Sequence, residues 1–139
     1  PGKALIFTSR AEEVENIYSK LKYENIECMA LHAKADKQER KSAIDKFKNG
    51  KLKILITSDL AARGLDIPNI THVIQMDLPS DDDFFIHRSG RTARAGKTGI
   101  NVVIGDEYEM RHYANLEKKL GIIVYPKTIY NGKVSAPEI

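Results

Sequence analysis

Short, continuous runs of apolar residues recur along the chain, separated by stretches with helical periodicity. Each run continues without alternating polar positions, which is typical of strands buried on both faces of a sheet. Regular alternation of such strands with helical segments predicts a mainly parallel sheet with helices on both sides, a three-layer α/β sandwich. The five predicted strands are Ala4–Phe7, Cys28–Leu31, Ile54–Thr57, His72–Met76 and Asn101–Ile104.

Four helices are predicted from apolar spacing and from residues that favour helix ends. A capping box formed with Glu12 marks the start of the first helix. The second helix is expected to stop at Asn49-Gly50 and the fourth, from about Glu107 to Leu120, at Gly121. The first three helices are predicted to begin at Ser9, Asp36 and Ser80.

A chain of 139 residues is the size of one domain. We predict a folded domain over residues 1–126 and a loosely ordered extension over 127–139, because the sequence beyond about Tyr130 lacks periodicity. Since the chain begins at Pro1, without methionine, and enters a strand at once, we expect it to be part of a longer protein.

Cys28 is the only cysteine, so an internal disulfide is impossible. It lies in an apolar run and is expected to be a buried thiol in a reducing compartment, which favours a cytoplasmic protein. No apolar stretch approaches the roughly 20 residues that span a bilayer.

The net charge of +3 is modest, but two segments concentrate positive charge. Residues 34–53 contain eight Lys or Arg and three Asp or Glu, and residues 84–97 contain four Lys or Arg and no acid. Such local excess favours a polyanionic partner. The alternative for the first segment is an ordinary solvated helix face.

The segment "HRSGRTARAG", residues 87–96, is the richest in candidate chemistry. On a continuous helix, His87, Arg91 and Arg94 would share one stripe, with Arg88 beside them. Guanidinium groups bind phosphate oxygens in a bidentate manner, so two on one face can hold a phosphoryl group. A plain basic surface helix is the alternative.

The segment "ILITSDLAARGLDIP" runs from a buried strand into hydroxyls and a short helix. Side chains and backbone N–H groups directly after a strand suit contacts with a phosphate backbone, and ligands of parallel sheets bind outside the carboxyl ends of strands. Asp66 can accept hydrogen bonds from ribose hydroxyls. Alternatively, Gly64 is only a helix stop and Asp59 only a cap.

These two segments, preceded by "ALIFTSR" and "LHAKADKQER", form a series that resembles the second RecA-like domain of DEAD-box RNA helicases, from Ala4 to about Pro126. The resemblance implies a RecA-like fold and ATP-dependent unwinding of RNA. It assigns Arg91 and Arg94 to the ATP γ-phosphate as catalytic arginines. Gly64 and Asp66 fall near the nucleotide ribose and phosphates, and His87 and Arg88 at positions that couple nucleotide state to domain closure. The RNA-binding positions are Arg10, Arg40, Thr57 and Arg63.

The same resemblance implies that ATP and Mg²⁺ are bound mainly by an N-terminal RecA-like domain that this chain lacks. The isolated chain is therefore expected to bind the RNA sugar–phosphate backbone, with little sequence preference, and to lack ATPase activity. No oligomer is expected. The sequence departs from the family pattern at Ala33 and Lys37, which bears on RNA affinity.

Other classes of site have weaker support. "AGKTG" at 95–99 is not a P-loop, because Arg91 stands where the first glycine is required. The histidines lack ligand-spaced partners, so no metal site is expected. Two alternatives remain open: the equivalent half of a DNA helicase or translocase, and an anion-binding module without motor function.

Overall fold

The structure, a computed structural model, describes residues 2–32, 36–79, 82–92, 99–120, 128–130 and 133–135. The chain divides into two compact units, residues 1–105 and 106–139. The larger unit contains all five predicted strands. Its elements are β1 (Lys3–Thr8), α1 (Ala11–Tyr23), β2 (Met29–Leu31), α2 (Lys37–Lys48), β3 (Ile54–Ser58), α3 (Asp59–Ala62), β4 (Ile70–Gln75), α4 (Asp82–Ser89) and β5 (Ile100–Val103).

The five strands form one parallel sheet in the order β2-β3-β1-β4-β5. Since every pair is parallel, all carboxyl ends lie at the same edge, and the strands β2, β3 and β1 are direct neighbours there. The predicted α/β sandwich with a parallel sheet is confirmed. Burial explains the continuous apolar runs: Leu5, Leu55, Ile56 and Val73 are completely inaccessible to solvent.

Helix α1 covers one face of the sheet. Its Val14 is buried against Ile6 and Ile56, with Ile17 and Leu21 packed beside them. These helix positions follow the i, i+3, i+7 spacing of an apolar stripe.

The opposite face is covered by α2 and α3. Phe47 and Ala43 of α2, with Ala61 and Ala62 of α3, join the core formed by the other side of the strands. Alternate strand residues therefore serve the two faces. The side chain of Arg88 from α4 lies over the Phe7 ring, which places α4 on this second face as well.

Both predicted ends of α2 are confirmed, and the predicted start of α1 is wrong. Asp36 caps α2, accepting a hydrogen bond from the Glu39 backbone N–H at 2.8 Å, and the chain leaves α2 through Gly50 with φ of +83°. The capping box at Ser9 does not form. Helix α1 starts one residue later, with Arg10 as N-cap and no side-chain cap. The reason is that the Ser9 N–H donates to the carboxylate of Asp77, which follows β4.

Helix α4 is shorter than predicted. It ends at Ser89, so Gly90 is not in a helix interior. The N–H of Arg91 donates to the Arg88 carbonyl at 3.1 Å, a tight turn that leaves the helical path. His87 and Arg91 therefore do not lie on one continuous helix, as the predicted stripe through His87, Arg91 and Arg94 requires. Arg94 and the predicted helix start at Ser80 lie outside the described residues.

The smaller unit contains helix α5 (Glu107–Leu120), as predicted, and an antiparallel pair of short strands, β6 (Thr128–Tyr130) and β7 (Lys133–Ser135). This hairpin falls in the segment expected to be loosely ordered, and it was not among the predicted elements. The domain boundary near residue 126 stays a prediction. None of the described helices has the length and apolar character needed to cross a bilayer.

Candidate functional site

A buried guanidinium lies at the centre of the carboxyl edge of the sheet. Arg88 of α4 is completely inaccessible to solvent. Its Nε and Nη2 each donate to one oxygen of Asp59, both at 2.7 Å, in a bidentate ion pair. Nη1 also donates to the Asp77 carbonyl at 2.9 Å and to Oε1 of Gln75 at 3.4 Å, and Nη2 to Oδ1 of Asp77 at 3.3 Å. One side chain thus connects the ends of β3 and β4 to α4.

The surroundings keep this guanidinium charged. Burial alone would lower the pKa of Arg88, but the hydrogen bonds and charge of Asp59, with a smaller effect of Asp77, raise it above its ordinary value. The Cζ atom also lies 5.5 Å from the centroid of the Phe7 ring, a distance typical of a cation–π contact.

Asp77 extends the network to the end of β1. Its Oδ2 accepts hydrogen bonds from the Thr8 hydroxyl at 2.7 Å and from the Ser9 N–H at 2.9 Å. Thr8 is buried, and Arg10 follows two residues later with an exposed side chain. The turn that carries Arg10 is therefore attached to the same ionic network as Arg88.

Arg91 lies beside the Asp66 loop. Its Nη1 donates to the Leu65 carbonyl, one residue before Asp66, and its Nε donates to the His87 carbonyl at 3.3 Å. The two segments singled out from the sequence therefore meet in space. They do so on the loop that leads from α3 to β4, whereas the sequence argument expected the carboxyl edge.

Gly64 lies at the end of α3, and its predicted place near a nucleotide stays a prediction. Its φ of +81° follows directly after α3, so it does stop the helix, as the alternative reading held. It also begins the loop in which Asp66 is exposed. Asp59 is the first residue of α3, but the cap is Ser58, whose Oγ accepts from the Ala61 N–H at 3.2 Å.

His87 is half-buried near three charged groups. Burial lowers the pKa of its imidazole below the ordinary 6.5, and the positive charges of Arg91 and Arg63 lower it further, against the opposing effect of Asp59. His87 is therefore neutral at pH 7, where it can both donate and accept a hydrogen bond.

Three of the predicted RNA-binding residues follow three neighbouring strands. Arg10 comes after β1, Arg63 caps the carboxyl end of α3 after β3, and Arg40 lies in the first turns of α2 after β2. Arg10 and Arg63 are exposed and Arg40 is half-buried. Arg10 pairs at the surface with Glu12, Nε to Oε1 at 3.3 Å. Such exposed pairs are weak, so a phosphate can replace the carboxylate.

Thr57 does not fit the role predicted for it. The residue is completely inaccessible, and its hydroxyl lies 3.4 Å from the Leu31 carbonyl and 3.2 Å from the Ser58 carbonyl. Because Thr57 is the penultimate residue of a central strand and points into the sheet's covered face, its side chain cannot contact RNA in this structure.

Asp77 was not among the predicted site residues, and Asp59 was predicted only as a cap. Both directly follow, or nearly follow, a buried strand, the position at which ligand-binding residues were expected. That signal was available for Asp77, but a lone carboxylate has no motif to mark it. The coupling role of His87 and Arg88, and the catalytic role of Arg94 beyond the described residues, stay predictions.

Comparison with known proteins agrees with this geometry. The "Helicase conserved C-terminal domain" family model matches residues 1–96. The C-terminal domain of the DEAD-box protein Dbp5 superposes with a TM-score of 0.77 at 35% identity, covering 86% of this chain and 71% of that one. The chain belongs to the C-terminal domains of DEAD-box RNA helicases.

Longer relatives show how much of a helicase this domain represents. DEAD-box ATP-dependent RNA helicase CshC of Bacillus cereus is 43% identical over 130 residues, which are 94% of this chain and 33% of the relative. S. cerevisiae Dbp5 bound to RNA and ADP BeF3 gives a TM-score of 0.81 at 35% identity, covering 88% of this chain and 33% of that one. The chain thus spans about a third of these helicases.

The DEAD-box family implies a divalent metal, and the described side chains do not supply a site for one. Within the parts of the chain that the structure describes, no group of three His, Cys, Asp or Glu side chains is placed to hold a metal ion. Asp59 and Asp77 instead share the guanidinium of Arg88.

Proposed function

We propose that the whole protein is an ATP-dependent RNA helicase, and that this domain contributes phosphate-binding arginines and part of an RNA groove to it. Support comes from family membership and from relatives named as ATP-dependent RNA helicases. A similar fold, that of Dbp5, binds both RNA and ADP BeF3. ATP and Mg²⁺ are then held mainly by an N-terminal domain of the same protein.

The observation that carries the nucleotide role is the bond from Arg91 to the Leu65 carbonyl. It brings a guanidinium next to Asp66, an exposed carboxylate suited to ribose hydroxyls. Gly64 supplies the left-handed backbone with which the chain enters this loop, and open space surrounds the position that its Cβ would take. One loop and one turn thus form a surface with partners for both the sugar and the phosphates of a nucleotide.

Closure of the two domains would bring Arg91 and Arg94 to the γ-phosphate. Guanidinium groups stabilise the negative charge that develops on the transferred phosphoryl oxygens, and an arginine supplied by a second domain makes hydrolysis depend on closure. The neutral state of His87 suits a hydrogen-bonding contact at this interface without adding positive charge beside Arg91.

The RNA role is supported by topology. Arg10, Arg40 and Arg63 lie in segments that follow three adjacent strands, and we propose that they form one row of contacts to RNA. Contacts from such a row are made to phosphates and do not read base sequence. Because RNA and ATP would both favour the closed arrangement, binding of each promotes binding of the other. This coupling permits local unwinding of short duplexes.

The test is RNA-stimulated ATP hydrolysis by the full-length protein. Arg91→Ala and Arg94→Ala are each expected to lower turnover by about 10³-fold. Arg111→Ala, an exposed arginine on α5, is the matched control and should leave turnover unchanged. The 139-residue chain alone should not hydrolyse ATP. Normal turnover in both variants, or hydrolysis by the chain alone, would contradict the proposal, and stronger stimulation by single-stranded DNA than by RNA would favour the DNA-motor alternative.

A further inference from the structure

We infer that Asp77 is a positioning residue for RNA binding. It attaches the turn that carries Arg10 to the buried Arg88, and Arg88 attaches α3, whose C-cap is Arg63, through Asp59. The inference rests on the proposed RNA contacts of Arg10 and Arg63. It adds that the two arginines are held in register by one buried ionic network.

The Asp77 carboxylate attaches the Arg10 turn through two donors from the end of β1. The Thr8 hydroxyl and the Ser9 N–H both converge on it, at 2.7 Å and at 2.9 and 3.0 Å to its two oxygens. The N-cap of α1, Arg10, makes no side-chain capping bond, and the Asp77 carboxylate holds the residue before it through the Ser9 N–H. The chain enters α1 in the direction that Asp77 sets.

Attachment of α3 uses the other carboxylate. Asp59 is the first residue of a helix of only four residues, and Arg63 is its C-cap. The bidentate pair between Asp59 and Arg88 therefore fixes a short element whose far end is the second RNA-binding arginine. Since Arg88 is completely buried and Asp59 has a side chain only 8% exposed, solvent does not weaken this pair as it would at the surface.

Asparagine at position 77 would disrupt the attachment of the Arg10 turn and leave the attachment of α3 in place. Asparagine has the shape of aspartate but a single acceptor oxygen, and its NH₂ group would face donors. Thr8, Ser9 and Arg88 could not all keep their partner. The pair between Arg88 and Asp59 would remain. The structure therefore predicts a selective effect on Arg10, with Arg63 unaffected.

The experiment measures RNA affinity of the intact helicase with ADP–beryllium fluoride, by fluorescence anisotropy of a labelled single-stranded oligouridylate. Arg10→Ala and Arg63→Ala are introduced singly into wild type and into Asp77→Asn. In wild type each should weaken binding roughly tenfold, the loss of one charge-assisted contact. In the Asp77→Asn background, Arg10→Ala should lower RNA affinity by less than about threefold, while Arg63→Ala should still lower it roughly tenfold. Asp45→Asn, the same change at an exposed carboxylate on α2, should behave as wild type.

Each other outcome has a distinct meaning. If Arg10→Ala costs the same in both backgrounds, Asp77 does not position Arg10 and the inference is wrong, although RNA binding by Arg10 stands. If the effects of both arginine variants shrink equally, Asp77→Asn only loosens the fold, and the inference again fails. If neither arginine matters in wild type, the proposed RNA site itself is wrong.

A milder variant covers poor folding of Asp77→Asn. Thr8→Val keeps the shape of a buried side chain and removes the 2.7 Å hydrogen bond to Asp77, whereas Thr8→Ser keeps the hydroxyl. Thr8→Val should reduce the effect of Arg10→Ala and leave that of Arg63→Ala intact, and Thr8→Ser should not. An undiminished Arg10→Ala effect in Thr8→Val would overturn the inference by itself.

Discussion

Replacing Arg88 by methionine removes the only cation that contacts both Asp59 and Asp77 among the described residues. Methionine retains much of the packing against Phe7, so the loss is mainly electrostatic. Asp59, whose side chain is 8% exposed, is then a buried charge without its guanidinium partner. Asp77, whose side chain is 25% exposed, also loses its ion pair with Arg88. Gln75, completely buried, loses one of its hydrogen-bonding partners.

The expected cost is about 3–5 kcal/mol, the usual penalty for removing one partner of a buried ion pair. The value belongs in the upper part of that range because four hydrogen bonds to Asp59 and Asp77 are lost together. Domains of this size are stable by only about 5–15 kcal/mol, so a large share of the total would disappear. The melting temperature should fall by roughly 10–20 °C.

Urea unfolding followed by far-ultraviolet circular dichroism suits this measurement, since the chain contains no tryptophan. Arg111→Met makes the same chemical change at an exposed position of α5 and should cost less than about 0.5 kcal/mol. The double variant Arg88→Met/Asp59→Asn should recover part of the loss, because no unpaired charge then stays buried at position 59. A loss below about 1 kcal/mol for Arg88→Met, or no recovery in the double variant, would refute the reasoning.

Two further predictions concern stability away from and within the site. Lys3→Met should lower the free energy of unfolding by about 1–3 kcal/mol without changing RNA affinity. The reason is that the Lys3 Nζ donates to the Lys48 carbonyl at 2.6 Å and to the Pro68 carbonyl at 3.3 Å, at the opposite edge of the sheet. An unchanged urea midpoint would contradict this prediction. Because the pKa of His87 is lowered, the folded protein protonates this imidazole less readily than the unfolded chain does. The free energy of unfolding therefore has its full value above pH 6.5 and decreases as the pH falls through the folded pKa. Between pH 7.5 and 5, His87→Gln should therefore lose less stability than wild type, and equal losses in urea titrations would count against it.

The elements of the sheet could be predicted from the sequence because strands buried on both faces require uninterrupted apolar runs. All five strands appear within about two residues of their predicted bounds. Asp36 and Gly50 were also readable, since a capping carboxylate and a left-handed glycine act locally. The capping box at Ser9 failed because Asp77, 68 residues away, binds the Ser9 N–H instead. The hairpin of β6 and β7 was missed although Asn131-Gly132, the two residues between its strands in the sequence, is a dipeptide typical of two-residue hairpin turns.

The candidate functional site was also predictable only in part. The arginine-rich segment and the Asp66 segment were predicted to lie together, and the contact from Arg91 to Leu65 places them side by side. Their role in one functional site stays a prediction. The family resemblance assigned Thr57 to RNA, but whether a strand residue faces a covered side depends on the sheet as a whole.

The amino-acid sequence by itself determined the alternation of buried strands and helices and the family to which the domain belongs, because these depend on local patterns of apolar residues and on contiguous motifs. Only the tertiary structure decided which charges are available to a ligand. Arg88 and Arg91 are three residues apart in one motif, yet the first is neutralised inside the sheet edge by Asp59 and Asp77, and the second lies half-buried against a loop. Charge pairing in a low-dielectric interior depends on distances between segments far apart in the chain.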